Sequence, residues 1–166
     1  MRLYILVIFI MLFSSVVFSQ QEKCVFFKLV NTSIKNENLN LKMSIENTGD
    51  TSLIVYKPSL EAICLSILKV SLIDIESGEI YDVFPCEEVI DLDGIKVNYK
   101  DFICLNSHEI FAVNLSFSLN DIVPYLMKNK KYSIRSKFLL SGVDFYPKKE
   151  GLVQSDLISN KLPIFY

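Results

Sequence analysis

Two stretches of strict alternation limit what this chain can fold into. In "IFAVNLSFSL" (110–119), Phe111, Val113, Leu115, Phe117 and Leu119 alternate with Ala112, Asn114, Ser116 and Ser118. In "NLNLKMSIEN" (38–47), Leu39, Leu41, Met43 and Ile45 oppose Asn40, Lys42, Ser44 and Glu46. Successive side chains on an extended backbone point to opposite faces, so period two marks a strand with one face in a core and the other in water.

Other segments read the same way. "CLSILKVSLIDI" (64–75) is apolar on most of both sides and reads as a central strand; "ESGE" (76–79) supplies the turn into "IYDVF" (80–84). In "KYSIRSKFLL" (131–140), Tyr132, Ile134, Phe138 and Leu140 oppose Lys131, Ser133, Arg135 and Lys137. "NDIVPYLM" (120–127) has Asn120 as a cap and Pro124 as a stop, which predicts one short helical turn. Pro163 in the last apolar stretch predicts an edge strand, because proline offers no N–H to a neighbour. Many short strands and no long amphipathic helix predict an all-β fold, an antiparallel sandwich of about 7 to 9 strands. Tyr132 in "KNKKYSI" adds a specific sign. A tyrosine two residues before the inter-sheet cysteine ties down a corner in immunoglobulin-like sandwiches, and here Ile134 takes the cysteine's place and Lys130 the usual small residue's.

The amino terminus predicts export. Arg2 precedes the apolar "LYILVIFIMLFSSVVF", Val17 and Ser19 are small residues before a polar break, and "QQEK" follows. This is the pattern of a signal peptide over residues 1–19, cleaved after Ser19, and no stable membrane anchor is expected afterwards. Residues 20–166 then form a single sandwich domain, large enough to bury about two-thirds of its unfolded surface. The chain has 17 basic and 19 acidic residues and no concentrated basic face, which argues against nucleic acid as a partner.

Four cysteines in an exported chain predict two disulfides. Three connectivities are open to them; the expected one is Cys86–Cys104 with Cys24–Cys64. No C-x-x-C spacing accompanies the single histidine, so no zinc set is expected.

That histidine, His108, lies in "LNSHE" beside Ser107. A nucleophilic serine needs a base oriented by a third group, and neighbours on an extended chain point apart, so the segment predicts a turn into the next strand with no catalytic residue. The acidic run "CEEVIDLDGIKVNYKD" (86–101) offers Glu87, Glu88, Asp91, Asp93 and Asp101 to calcium, but lacks the distal glutamate of an EF-hand loop; a solvated loop is expected and no cofactor or metal. Sequons occur at Asn31-Thr32-Ser33 and Asn114-Leu115-Ser116. Phe145 and Tyr146 beside "PKKEG" are candidates for a binding tip.

Four pieces carry a family resemblance: "LNLKMSIENTG" (39–49 in the pattern L-x-L-x-M-x-I-x-N-T-G), the strand ending in "ESGE", "KDFICLNSHE" before alternating apolars, and "DIVPYLMKNKKYSIRSKF". Together they resemble small exported bacterial immunoglobulin-like domains of unassigned function, similar to the non-catalytic sandwich that precedes deuterolysin-type proteases. In that group Pro-Gly-Glu usually stands where this chain has Asn106-Ser107-His108 before Glu109. The resemblance implies a fold and no substrate, and the H-E-x-x-H zinc-protease motif is absent. The expected role is a non-enzymatic binding or accessory module, secreted or periplasmic, with a protein partner. The alternatives are an inhibitor or chaperone-like partner of a protease, acting through an edge strand or loops, and a minimal hydrolase using two carboxylates.

Overall fold

The alternation of residues 38–47 becomes a strand whose apolar half is fully enclosed: Leu39, Leu41, Met43 and Ile45 are at most 1% exposed. The computed structural model describes residues 24–86, 99–119, 130–143 and 150–165. They form ten strands: β1 (Val25–Lys35), β2 (Asn38–Asn47), β3 (Leu53–Tyr56), β4 (Leu68–Asp74), β5 (Ile80–Val83), β6 (Phe102–Leu105), β7 (Ile110–Ser118), β8 (Lys131–Phe138), β9 (Leu157–Ile158) and β10 (Leu162–Phe165). Ten exceeds the expected 7 to 9 because β3, β6 and the two-residue β9 are short pieces, and because β1 was not anticipated.

All strand ladders are antiparallel. One sheet has the order β1-β2-β7; a second runs β10-β8-β4-β5, with β9 also paired to β8; β3 and β6 form a separate pair. Phe27 of β1 meets Phe138 of β8 edge to face, with ring centroids 5.1 Å apart, so the two larger sheets share one core. Leu68, Val70, Leu72 and Ile134 fill that core from the second sheet. Burying each such side chain stabilises by about 1.5–3 kcal/mol relative to leaving it in water.

The β1–β2 hairpin closes through Asn36 and Glu37, both at positive φ (50° and 61°), the geometry a two-residue turn requires. β1 carries a bulge between Leu29 and Asn31 that turns Val30 out to solvent. Beside it, the carboxamide of Asn160 accepts from the Leu29 N–H at 2.8 Å and donates to the Leu29 carbonyl at 3.1 Å. A side chain thus takes the place of a strand neighbour.

The expected disulfides are replaced by one between Cys64 and Cys86, with Cα atoms 5.6 Å apart. Cys64 ends the short helix α1 (Leu60–Cys64), capped by Ser59, whose hydroxyl accepts from the Ala62 N–H. It stands just before β4, and Cys86 stands just after β5. The β4–β5 hairpin reverses the chain, so these two ends lie side by side. Cys104 instead sits exposed on β6 opposite Ile54, and Cys24 stands just before β1 against Gly49. Neither Cys86–Cys104 nor Cys24–Cys64 forms. Residues 1–19, expected as a signal segment, residues 120–127, expected as a helical turn, the acidic residues 87–98 and the aromatics Phe145 and Tyr146 lie outside the described residues.

Candidate functional site

The turn that holds His108 is built by its neighbours. Glu109 accepts from the Asn106 N–H with its carboxylate (2.8 Å), while its own N–H donates to the Asn106 carbonyl (3.1 Å). This closes "NSHE" into a tight turn with His108 at φ 59°. His108 Nε2 lies 3.5 Å from Asp50, both exposed, and no hydrogen bond joins it to Ser107. A serine–histidine relay is not assembled there. Asp101, the described end of the acidic run, accepts the Lys57 N–H through its carbonyl; burial foremost, then the charge of Asp101, pushes the phenol of Tyr56 above its ordinary range. Among the described residues no group of three or more His, Cys, Asp and Glu side chains is placed to hold a metal ion.

Tyr132 is enclosed at the start of β8, opposite Asp74 in register and edge-on to Tyr81. The unexpected Lys130 beside it has a partner: its ammonium donates to the buried Asp74 carboxylate at 2.8 Å. Asp74 also accepts the N–H groups of Glu76 and Ser77, which folds the "ESGE" turn around it. The Lys130 hydrogen bond foremost, then those two N–H groups, hold the Asp74 carboxyl down to a pKa of about 2.

Two sheet faces present groups with no partner among the described residues. The first is the outer face of β10-β8-β4-β5. Lys131, Arg135 and Lys137 share one side of β8, and Lys69 stands opposite Lys137 on β4. Lys137 pairs with Asp156 at 3.2 Å, and that carboxyl is held low chiefly by hydrogen bonds from Ser141. Among the described residues Lys69, Lys131 and Arg135 have no carboxylate partner, and the Arg135 Nε is buried without a hydrogen bond. Lys131 lies over the ring of Phe165, itself 66% exposed, and Ile75 and Ile80 are exposed at the same end of the sheet.

The second is the outer face of β1-β2-β7. Register aligns Asn31, Lys42 and Asn114 in one row across the three strands, and Ser33, Asn40 and Ser116 in the next. These six line a shallow groove of about 260 Å3. Its residues come from the β1–β2 hairpin and from distant β7, where each reads only as the polar side of its own strand; register unites them.

No family model and no curated protein matches the chain. Among solved structures, the chain is similar to part of a β-glucosidase from Kluyveromyces marxianus at 12% identity and a TM-score of 0.40, covering 86% of this chain and 14% of that one. β-Glucosidase 3B from Thermotoga neapolitana is similar at 15% identity and a TM-score of 0.38, over 68% of this chain and 13% of that one. A Northeast Structural Genomics Consortium target is similar at 9% identity and a TM-score of 0.37, over 86% of this chain and 83% of that one. The chain thus spans about one-seventh of the glucosidases it resembles. Among the described residues no helix is long and apolar enough to cross a membrane.

Proposed function

We propose that this chain is an exported immunoglobulin-like sandwich acting as a non-enzymatic binding or accessory module, secreted or periplasmic, for a protein partner. Its sheet orders, β1-β2-β7 and β5-β4-β8-β10, run parallel to the A-B-E and C′-C-F-G arrangement of that architecture. The disulfide suits an oxidising compartment.

The observation that carries the binding role is the outer face of the larger sheet. The whole chain is net acidic, −2, yet among the described residues Lys69, Lys131 and Arg135 on this face pair with no carboxylate; Lys131 lies beside exposed Phe165, Ile75 and Ile80, Lys69 stands at the other end of the sheet, and Asp82 bonds to Ser71 on the same face. Apolar anchors next to uncompensated charge suit a polypeptide segment carrying both acidic and apolar side chains. Protease inhibition through strand addition at β10 draws less support, because this end strand contains Pro163, which has no N–H to give.

The test is affinity capture from envelope and culture-fluid extracts, run with the wild type and with Lys69→Glu/Lys131→Glu. The captured polypeptide is then titrated against both. Expected is a partner of acidic character that binds the wild type, weakens with salt and loses at least about tenfold in affinity to the double variant. A partner held equally by both proteins, or a small substrate turned over with no macromolecular partner, overturns the proposal.

A further inference from the structure

The groove on the opposite sheet is a separate surface with its own chemistry. Its six polar side chains comprise three carboxamides, two hydroxyls and one ammonium, and no carboxylate or aromatic ring lines it. Lys42 sits in the middle of its row, flanked on β1 by Asn31 and on β7 by Asn114. Among the described residues it has no ion-pair partner, and Asn31, Ser33, Asn114 and Ser116 make no side-chain hydrogen bond; of the six, only the Asn40 amide is in use there, donating to the Asn38 carbonyl at 3.2 Å. With strands about 4.8 Å apart and same-face residues about 6.8 Å apart, the two rows cover roughly 10 by 7 Å. A groove of about 260 Å3 falls just short of the roughly 300 Å3 at which drug-sized sites begin, which suits one or two sugar-sized rings.

We infer that this groove binds a small polyhydroxylated anion, a sugar acid, with its carboxylate on Lys42 and its hydroxyls on the flanking amides and serines. Neutral hydrogen bonds to exposed amides only exchange with those to water and give little net affinity. Without an aromatic ring there is no stacking to add to them. The one interaction that separates a ligand from water is a charge-assisted bond to the uncompensated ammonium. A ligand must therefore bring an anion, and the surrounding amides reward one that also brings hydroxyls. The polypeptide partner proposed above uses the other sheet, so the two readings stand or fall separately.

The experiment is an NMR titration of the full exported chain with digalacturonate, with the neutral disaccharide galactobiose, and with sodium sulfate. Digalacturonate is expected to shift the amides of Asn31, Ser33, Asn40, Lys42, Asn114 and Ser116 with a Kd of about 1 mM or tighter. Lys42→Gln, and Asn114→Asp, which sets a carboxylate beside Lys42, are expected to weaken it at least fivefold or so, while leaving the rest of the spectrum in place. Equal binding of galactobiose refutes the anionic class, though the groove remains a site. Equal shifts from sulfate alone refute the polyol. No shift from any of the three refutes the groove itself.

Discussion

The Asp74 side chain is 1% exposed and that of Lys130, whose ammonium reaches it at 2.8 Å, is 33% exposed, so a buried anion is held by a side chain that stays partly in water. The pair joins the β4–β5 turn to the residue that precedes β8. Its sign with pH is definite. The folded pKa of Asp74, about 2, lies below the ordinary 3.8, so the stabilisation is fully present above pH 4 and is lost as pH falls toward 2. Urea midpoints measured from pH 7 to pH 2 are expected to drop across that window. Asp74→Asn lowers the midpoint at pH 7 and flattens the drop, leaving the smaller slope due to Asp156, whose carboxyl is depressed in the same direction. A variant with the wild-type slope would show that the pair does not report on folding.

Asn47 and Gly49 give the "NTG" at the end of β2 its physical meaning. Asn47 is fully buried; its amide donates to the carbonyls of Thr51 (2.8 Å), Leu105 (3.2 Å) and Asn106 (3.0 Å), and its oxygen accepts the Gly49 N–H at 3.0 Å. Asn47→Ala leaves several of these groups without partners and is expected to cost about 2–4 kcal/mol in urea unfolding. At Gly49 the constraint is space: a Cβ there would lie 2.9 Å from the Cys24 Cβ. Gly49→Ala is expected to push β1 away at Cys24, read as a lowered midpoint together with NMR shifts concentrated around residues 24 and 47.

Period two made much of the fold legible. Leu39 to Ile45, Leu115 and Phe117, Tyr132 and Ile134 all lie inside as their alternation requires, and β10 is an end strand as Pro163 implied. β1 escaped the same test because Phe26 and Val30, 48% and 51% exposed, put apolar side chains on its solvent side and erase the alternation. The disulfide escaped because its partners are chosen by a hairpin, which brings chain ends together irrespective of how cysteines are spaced. Lys130 looked like a departure from a tyrosine corner until Asp74, far away in sequence, supplied its reason. The groove had no signal beyond the two sequons, whose asparagines lie on either side of Lys42.

Asn160 tests the idea that a side chain can stand in for a strand. Its amide satisfies both the N–H and the carbonyl of Leu29 at the point where the bulge breaks the β1 ladder. Asn160→Ala is expected to cost about 1–3 kcal/mol and to speed hydrogen exchange at the Leu29 amide more than elsewhere in β1. Asn160→Asp keeps the acceptor for the N–H but sets a second oxygen against the Leu29 carbonyl. It is expected to be no better than alanine, which distinguishes two-sided pairing from simple space filling.

The disulfide carries the last prediction. Cys64 and Cys86 are 22 residues apart, and closing a loop of that length removes enough freedom from the unfolded chain to stabilise the fold by about 3 kcal/mol in the chain-entropy model. Non-reduced peptide mapping is expected to recover a peptide joining Cys64 to Cys86, with Cys104 open to alkylation in the native protein because it is exposed on β6. Cys64→Ala/Cys86→Ala should unfold at lower urea by roughly that energy and become insensitive to reductant, whereas Cys104→Ala should leave both properties unchanged. A peptide joining Cys104 to Cys64 or Cys86 would instead mean that the β4–β5 hairpin does not bring the ends of this segment together, and with it would go the placement of α1 against β4.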